Sequence, residues 1–139
     1  MPKPFFIYAE DDQNSVVLLR AALRKLQCDD CMVHSPDGDA LICCLRDSII
    51  GRHLPAFVLL DLRMPKMGGL EALRWIRGRP ELKEVPVVVL SSSPLPEDVE
   101  LATALGATSY IVKPGSYGEL CRMLSDLMAR FGLAASEKP

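Results

Sequence analysis

The sequence predicts an α/β domain built on a doubly wound, five-stranded parallel sheet. Two observations lead there. Short apolar runs alternate with segments of helical periodicity along the chain, and two of those runs, Ala56 to Leu60 and Val87 to Leu90, are apolar at every position. A strand that is apolar on both faces belongs in a sheet covered by helices on both sides, which is the setting of parallel α/β folds. The chain has 139 residues, 49% of them hydrophobic, enough for one domain with a full core and short of the usual size of two. The expected division is one domain over 1–132 followed by a frayed tail over 133–139.

The elements follow in order. Phe5 to Ala9 is an apolar and aromatic run ending in Glu10, Asp11 and Asp12, as suits a buried strand with acids at its C-terminal end. Val16, Leu19, Leu23 and Leu26 recur at helical steps and form the stripe of the first helix. Met32 and Val33 sit in a short second strand, and Pro36 with Gly38 marks the turn into a helix from about Asp39. Pro55 opens the third strand, which ends at Asp61. Leu70, Leu73 and Ile76 mark the third helix, broken by Gly78 and Pro80. Pro86 opens the fourth strand, which terminates in Ser91, Ser92 and Ser93. Pro96 fits a first helical position, Glu97 and Asp98 suit the positive end of that helix, and Gly106 ends it. Thr108 to Val112 is the fifth strand, closed by Lys113 and Pro114. Ser116 and Glu119 have capping-box spacing for a last helix with the stripe Leu120, Leu124, Leu127 and Phe131.

Composition narrows the function. The net charge is −2, from 16 basic and 18 acidic residues interleaved along the chain, so no basic stripe points to direct nucleic-acid binding or an anionic membrane. No apolar run approaches the ~20 residues that span a bilayer, and MPKPFFIYAEDD lacks the arrangement of a secretory signal. The expected compartment is the cytoplasm. Five cysteines, Cys28, Cys31, Cys43, Cys44 and Cys121, are an odd count in a chain whose apolar content suffices for a core, so reduced thiols are expected. Cys28 and Cys31 form a C-x-x-C, which raises a redox or zinc reading. No second pair accompanies it, and the preferred reading is small apolar residues around a helix-to-strand connection.

In open parallel sheets ligands gather at the carboxyl ends of the strands. Here those ends carry Glu10 and Asp11, Asp61, Ser91 and Lys113. Three carboxylates at one edge repel one another, and a cation relieves that cost. Hard oxygen donors in a partly hydrated cluster favour Mg²⁺. A carboxylate beside such an ion can act as a nucleophile toward a phosphoryl group, with Lys113 and the Ser91 hydroxyl placed to bind phosphoryl oxygens.

These strand ends resemble those of the response-regulator receiver family of two-component signalling, over nearly the whole chain. The strongest segment is VLLDLRMPKMGGLEAL (Val58 to Leu73), in which Asp61 matches the phosphorylated aspartate. The family's acidic pair falls on Glu10 and Asp11, with Asp11 matching the metal ligand, and the metal-binding backbone carbonyl maps to Arg63. VPVVVLSSS (Val85 to Ser93) resembles the fourth strand, with the switch hydroxyl on Ser91. SYIVKP (Ser109 to Pro114) resembles the fifth, with Tyr110 as the switch aromatic, Lys113 as the phosphoryl-binding lysine, and a cis bond before Pro114. PDGDAL (Pro36 to Leu41) is similar to the entry into the family's second helix.

Three residues depart from the pattern: Gly68 stands where an acid or amide is common, Gly115 replaces a bulky residue, and Ser91 replaces the commoner threonine. The resemblance places Arg63 where the family varies the speed of phosphoryl loss. Pro94 and Pro96 are expected to stiffen the loop after Ser91.

The resemblance implies a flavodoxin-like (βα)5 fold with strand order 2-1-3-4-5. It also implies a stand-alone switch that accepts a phosphoryl group on Asp61 with Mg²⁺. The donor would be a sensor histidine kinase or phosphotransfer protein, and the output a contact with a downstream protein or a homodimer through the fourth helix, fifth strand and fifth helix. A rival reading is an aspartate-nucleophile phosphohydrolase, which would want a second acid where Arg63 stands. A receiver-like module working without phosphorylation is disfavoured by the intact acid, hydroxyl and lysine set. A flavin-binding protein is disfavoured by acids standing where a phosphate loop would follow the first strand. Trp75 reads as a partly covered surface aromatic, and His34 and His53 as structural or solvated.

Overall fold

The computed structural model describes residues 3–64 and 66–133. Its strands are β1 (Phe6–Ala9), β2 (Met32–Ser35), β3 (Val58–Leu60), β4 (Val87–Ser91) and β5 (Ser109–Val112). The helices are α1 (Gln13–Lys25), α2 (Gly38–Gly51), α3 (Gly69–Arg77), α4 (Pro96–Ala104) and α5 (Tyr117–Arg130), with a 3-10 turn at Pro80–Leu82 between α3 and β4. All strand pairs are parallel, in the order β2-β1-β3-β4-β5, as expected.

Alternation within the buried strands divides the interior into two cores, one on each face of the sheet. Phe6, Tyr8, Phe57, Leu59, Val88 and Leu90 face α1 and α5, meeting Val16, Leu19, Leu23, Leu124 and Leu127. Ile7, Ala9, Val58, Leu60 and Val87 point the other way, onto Leu41 and Leu45 of α2 and Ala72, Leu73 and Ile76 of α3. Continuous apolar sequence in β1, β3 and β4 is thus the direct consequence of burial on two sides. Leu26 and Leu120 pack only at the margin of the first core, while Cys121 and Met128 complete the face of α5. Leu133, assigned to the tail from sequence, is buried and its N–H donates to the Met128 carbonyl. The frayed tail expected beyond it lies outside the described residues.

Helix ends follow local chemistry. Asp12, Asp37 and Ser116 each cap a helix by accepting from the backbone N–H three residues on. Glu119 reaches back from α5 to the Gly115 N–H at 3.2 Å, one residue earlier than a capping box would place it. Gly68 caps α3 without a side chain. The Arg77 side chain ties α3 to the start of β5, donating to the Gly106 carbonyl at 2.8 Å and the Leu82 carbonyl at 3.2 Å. Gly106 has φ +105° and lies against that side chain, so both its conformation and its lack of Cβ are required there. Trp75 is half-buried, with the guanidinium groups of Arg46 and Arg79 at 5.7 and 5.4 Å from its ring centre.

Gly69 is the point at which the fold meets the strand-end residues. A Cβ there would fall on the Asp61 carbonyl oxygen and 2.6 Å from Leu62 Cα, both backbone atoms with little room to move. Gly69→Ala is therefore expected to lower stability by about 1–3 kcal/mol in urea unfolding. Gly51→Ala, whose Cβ meets open space at the end of α2, is expected to leave stability unchanged or raise it by up to about 1 kcal/mol.

Candidate functional site at the carboxyl ends of the strands

The three consecutive acids after β1 have three different environments. Asp12 caps α1, its carboxylate accepting from the Ser15 N–H at 3.1 Å and the Ser15 hydroxyl at 2.8 Å, which holds its pKa below the usual carboxylate range. Asp11 is exposed. Glu10 is 1% exposed, and its carboxylate is held by the Tyr8 hydroxyl at 3.1 Å, the Asp12 N–H at 3.2 Å and Lys113 Nζ at 3.0 Å. A buried carboxylate needs such partners, and together they fix its direction. The backbone of Glu10 is fixed as well: its N–H donates to the Ser35 carbonyl, and its own carbonyl lies 2.7 Å from His34 Nε2. His34 and His53, read from sequence as structural or solvated, both meet backbone: His34 contacts the Glu10 carbonyl, and His53 packs on Phe5 and contacts the Lys3 carbonyl.

Asp61 follows β3 directly and is 6% exposed; its N–H donates to the Ala9 carbonyl at 3.0 Å, locking the end of β3 to the end of β1. Its carboxyl is pushed up from 3.8 to about 7, first by burial and then by the negative charge of Glu10 and a hydrogen bond with it; Lys113 and the Arg63 backbone N–H pull the other way. Lys113 Nζ stands 4.0 Å from Asp61 Oδ2 and 3.0 Å from Glu10 Oε1, so one ammonium serves both acids. Glu10, Asp11 and Asp61 each offer a carboxylate oxygen within 4.8 Å of the others. Close, hard, negatively charged donors of this kind fit a divalent cation.

The cis bond expected before Pro114 is corrected: no cis peptide occurs among the described residues. The trans form is the lower-energy state of such bonds. The Lys113 N–H donates to the Ser91 carbonyl at 2.8 Å, which sets the backbone in register with β4 and lets the side chain reach Glu10 from there. Ser91 is buried at the end of β4. Its Oγ accepts from the Ser93 N–H at 3.1 Å, so its own proton is available to another acceptor. Tyr110 on β5 donates to the Ser93 carbonyl at 2.8 Å. The Arg63 side chain is exposed, and Pro65 of the DLRMP segment lies outside the described residues.

Ser93 was not singled out as a separate functional residue by sequence reasoning. Its amide meets Ser91, its carbonyl meets Tyr110, and its hydroxyl donates to Asp98 in the first turn of α4 while accepting from the Leu95 N–H. The only sequence signal was the Ser93 to Asp98 spacing at the start of α4, which reads equally well as ordinary helix-entry chemistry. Tyr8, the partner of Glu10, gave no signal because it reads as one more apolar residue of β1. Beside the site, a cavity of about 290 Å³ opens between α1 and α5, lined by Tyr8, Leu18, Lys113, Pro114 and Tyr117 among others.

Fold and site together define a flavodoxin-like α/β domain with an acidic, cation-ready cluster at its strand ends. The chain belongs to the response regulator receiver domain family, whose profile matches residues 6–125. It is 36% identical over 126 residues, 89% of this chain and 81% of the relative, to the probable methanogenesis regulatory protein FilR2 of Methanothrix harundinacea. Among solved structures it is similar to the phosphorylated cyanobacterial phytochrome response regulator RcpA, with a TM-score of 0.81, 28% identity, and coverage of 96% of this chain and 98% of that one. The Mn²⁺-bound response regulator Rcp1 superposes with a TM-score of 0.80 and 28% identity, over 99% of both chains.

The raised Asp61 carboxyl has a measurable consequence for stability. A native pKa above the unfolded value means that the folded state binds the extra proton between pH about 4 and about 7, so stability falls as pH rises through that window. Asp61→Asn removes the loss. Without divalent metal, the variant is expected to be more stable than wild type by on the order of 1–2 kcal/mol at pH 8, after allowance for solvent screening. Near pH 4 the two should be nearly equal. Equal urea midpoints at pH 8 would contradict a strained Asp61 carboxylate.

Proposed function

We propose that the chain is a phosphorylation switch that accepts a phosphoryl group on Asp61 from a phosphohistidine of a sensor histidine kinase or phosphotransfer protein. The observation that carries the proposal is the placement of the buried Asp61 carboxylate between the Glu10 and Asp11 acids and the Lys113 ammonium. Receiver-family membership and the likeness to a phosphorylated regulator support the same reading.

In this proposal Asp11, Asp61, the Arg63 backbone carbonyl and Glu10 would hold Mg²⁺, and the Mn²⁺-bound form of the similar regulator Rcp1 supports the binding of a divalent ion. Held by these residues, the ion would supply positive charge that offsets the carboxylates and the transferred phosphoryl group. An Asp61 oxygen attacks phosphorus as the bond to the histidine nitrogen breaks, leaving an acyl phosphate on Asp61 and a free imidazole on the donor. Lys113 turns from the carboxylates toward a phosphoryl oxygen, and Ser91 donates its free hydroxyl proton to another.

A Ser91 side chain that turns toward the phosphoryl group changes the bond that it accepts from the Ser93 amide. Ser93 also carries the bonds to Tyr110 and Asp98, so the change passes to β5 and α4. The altered face of α4, β5 and α5 then meets a downstream protein or a second copy of the chain, in the cytoplasm, with no direct contact to nucleic acid or membrane. No helix among the described residues is long and apolar enough to cross a membrane. The chain acts only on its own phosphoryl group; Arg63 stands where a phosphohydrolase would need a second acid.

Incubation with acetyl phosphate and Mg²⁺, followed by intact-mass measurement, is expected to give one phosphoryl adduct that EDTA prevents and Asp61→Asn abolishes. Lys113→Ala is expected to slow adduct formation by about two orders of magnitude, the scale on which a single charge-stabilising donor contributes to transfer. An adduct that persists in Asp61→Asn, or forms equally fast with EDTA, would overturn the assignment.

A further inference from the structure

Cys28 and Cys31 lie in the connection from α1 to β2, at the end of the sheet opposite Asp61, and the site above uses neither. The connection is a tight turn: the Cys31 N–H donates to the Cys28 carbonyl at 3.3 Å, and Cys31 Sγ lies 2.9 Å from the same oxygen. A turn closed between residues three apart keeps its outer Cα atoms within about 7 Å, which overlaps the roughly 4.4–6.8 Å that a disulfide spans.

The turn is held from both sides. Gln27 takes a left-handed φ of 61°, the Cys28 N–H donates to the Leu23 carbonyl at 2.9 Å, and the Cys31 carbonyl accepts from the Phe6 N–H at 2.8 Å. Pre-organisation of this kind reduces the entropy lost on joining the sulfurs. Among the described residues, no histidine, cysteine, aspartate or glutamate completes a set of three donors with the pair, which favours dithiol chemistry over a metal site.

The two sulfurs differ in access. Cys31 is buried, and that burial raises its thiol pKa and makes it a poor first nucleophile. Both cysteines line a cleft with Lys3, Asp29, Asp30 and Gly132, but Cys28 is half-buried there and Cys31 is buried. We propose that Cys28 and Cys31 form a redox-responsive dithiol, with Cys28 reacting first with a peroxide and Cys31 resolving it to an intramolecular disulfide. The Cys28 thiolate attacks one peroxide oxygen and the O–O bond breaks, giving a sulfenic acid and, after protonation, water. Cys31 sulfur then attacks Cys28 sulfur, the S–O bond breaks as the S–S bond forms, and the hydroxide leaves with the Cys31 proton as a second water. Two thiols are oxidised by two electrons, and hydrogen peroxide is reduced to two waters.

The test is hydrogen peroxide treatment of the folded full chain, an alkylating quench, and peptide mapping by mass spectrometry. Cys43→Ser serves as the background, since Cys43 is the exposed competitor. The expected result is loss of two hydrogens, a single Cys28–Cys31 linkage and reversal by dithiothreitol. With Cys31→Ser, Cys28 should stop at a sulfenic acid that dimedone traps; with Cys28→Ser, no linkage should form and Cys31 should remain a thiol. The idea is overturned if protein with native circular dichroism is oxidised without that linkage, or if Cys31 oxidises as readily in Cys28→Ser as Cys28 does in Cys31→Ser. Neither arm requires Asp61, so the outcome is independent of the phosphorylation reading.

Discussion

The constraint on which this structure turns is the convergence of two buried carboxylates on one lysine. Glu10 and Asp61 are both withdrawn from water, and one ammonium, Lys113, lies within 4.0 Å of both. Two buried anions and one cation leave an uncompensated charge, so the site favours either a proton on Asp61 or a further cation. The folded chain therefore stores an electrostatic cost at the place where a ligand can relieve it. The sheet order makes this possible: β1 and β3 are neighbours, so their terminal acids meet, and β5 lies two strands from β3, a distance that a lysine side chain can cross.

Much of this was legible in the sequence because it depended on local pattern. Continuous apolar runs located β1, β3 and β4, and the rule that parallel sheets carry ligands at strand ends brought Glu10, Asp11, Asp61, Ser91 and Lys113 into one list. The burial of Asp61, and with it the upward shift of its carboxyl, depends on residues that meet only after folding. The partners of Glu10 show why: Tyr8 reaches it along the same strand, His34 holds its backbone from β2, and Lys113 arrives from more than a hundred residues away. Strand boundaries were also blurred. The apolar run from Ala56 extends two residues before the ladder of β3 begins at Val58: Phe57 is buried and Ala56 partly buried ahead of the first paired residue.

Ser93 illustrates a different limit. Three consecutive serines give no clue to which will be the hub, since all three can bond locally to backbone or helix end. Only the register of β4 with β5, which puts Val89 opposite Tyr110, brings the tyrosine hydroxyl to the Ser93 carbonyl. Once that register is set, Ser91, Ser93, Tyr110 and Asp98 form one connected polar set along the edge of the domain, and movement of one member changes the partners of the others.

The attachment of α4 is unlike that of the other helices. Only Ala102 of its nine residues is fully buried, its N-terminus rests on the Ser93 bond to Asp98, and Leu95 and Leu101 stand in solvent. By contrast, α1 and α5 share a continuous apolar core with the sheet. The molecule thus combines a body with continuous apolar cores and an outer helix that contributes few buried apolar side chains of its own. Such a segment can open as its own small cooperative unit, at a free energy well below that of global unfolding. A receiver built this way can spend modest energy to rearrange its outer edge while the rest keeps its shape.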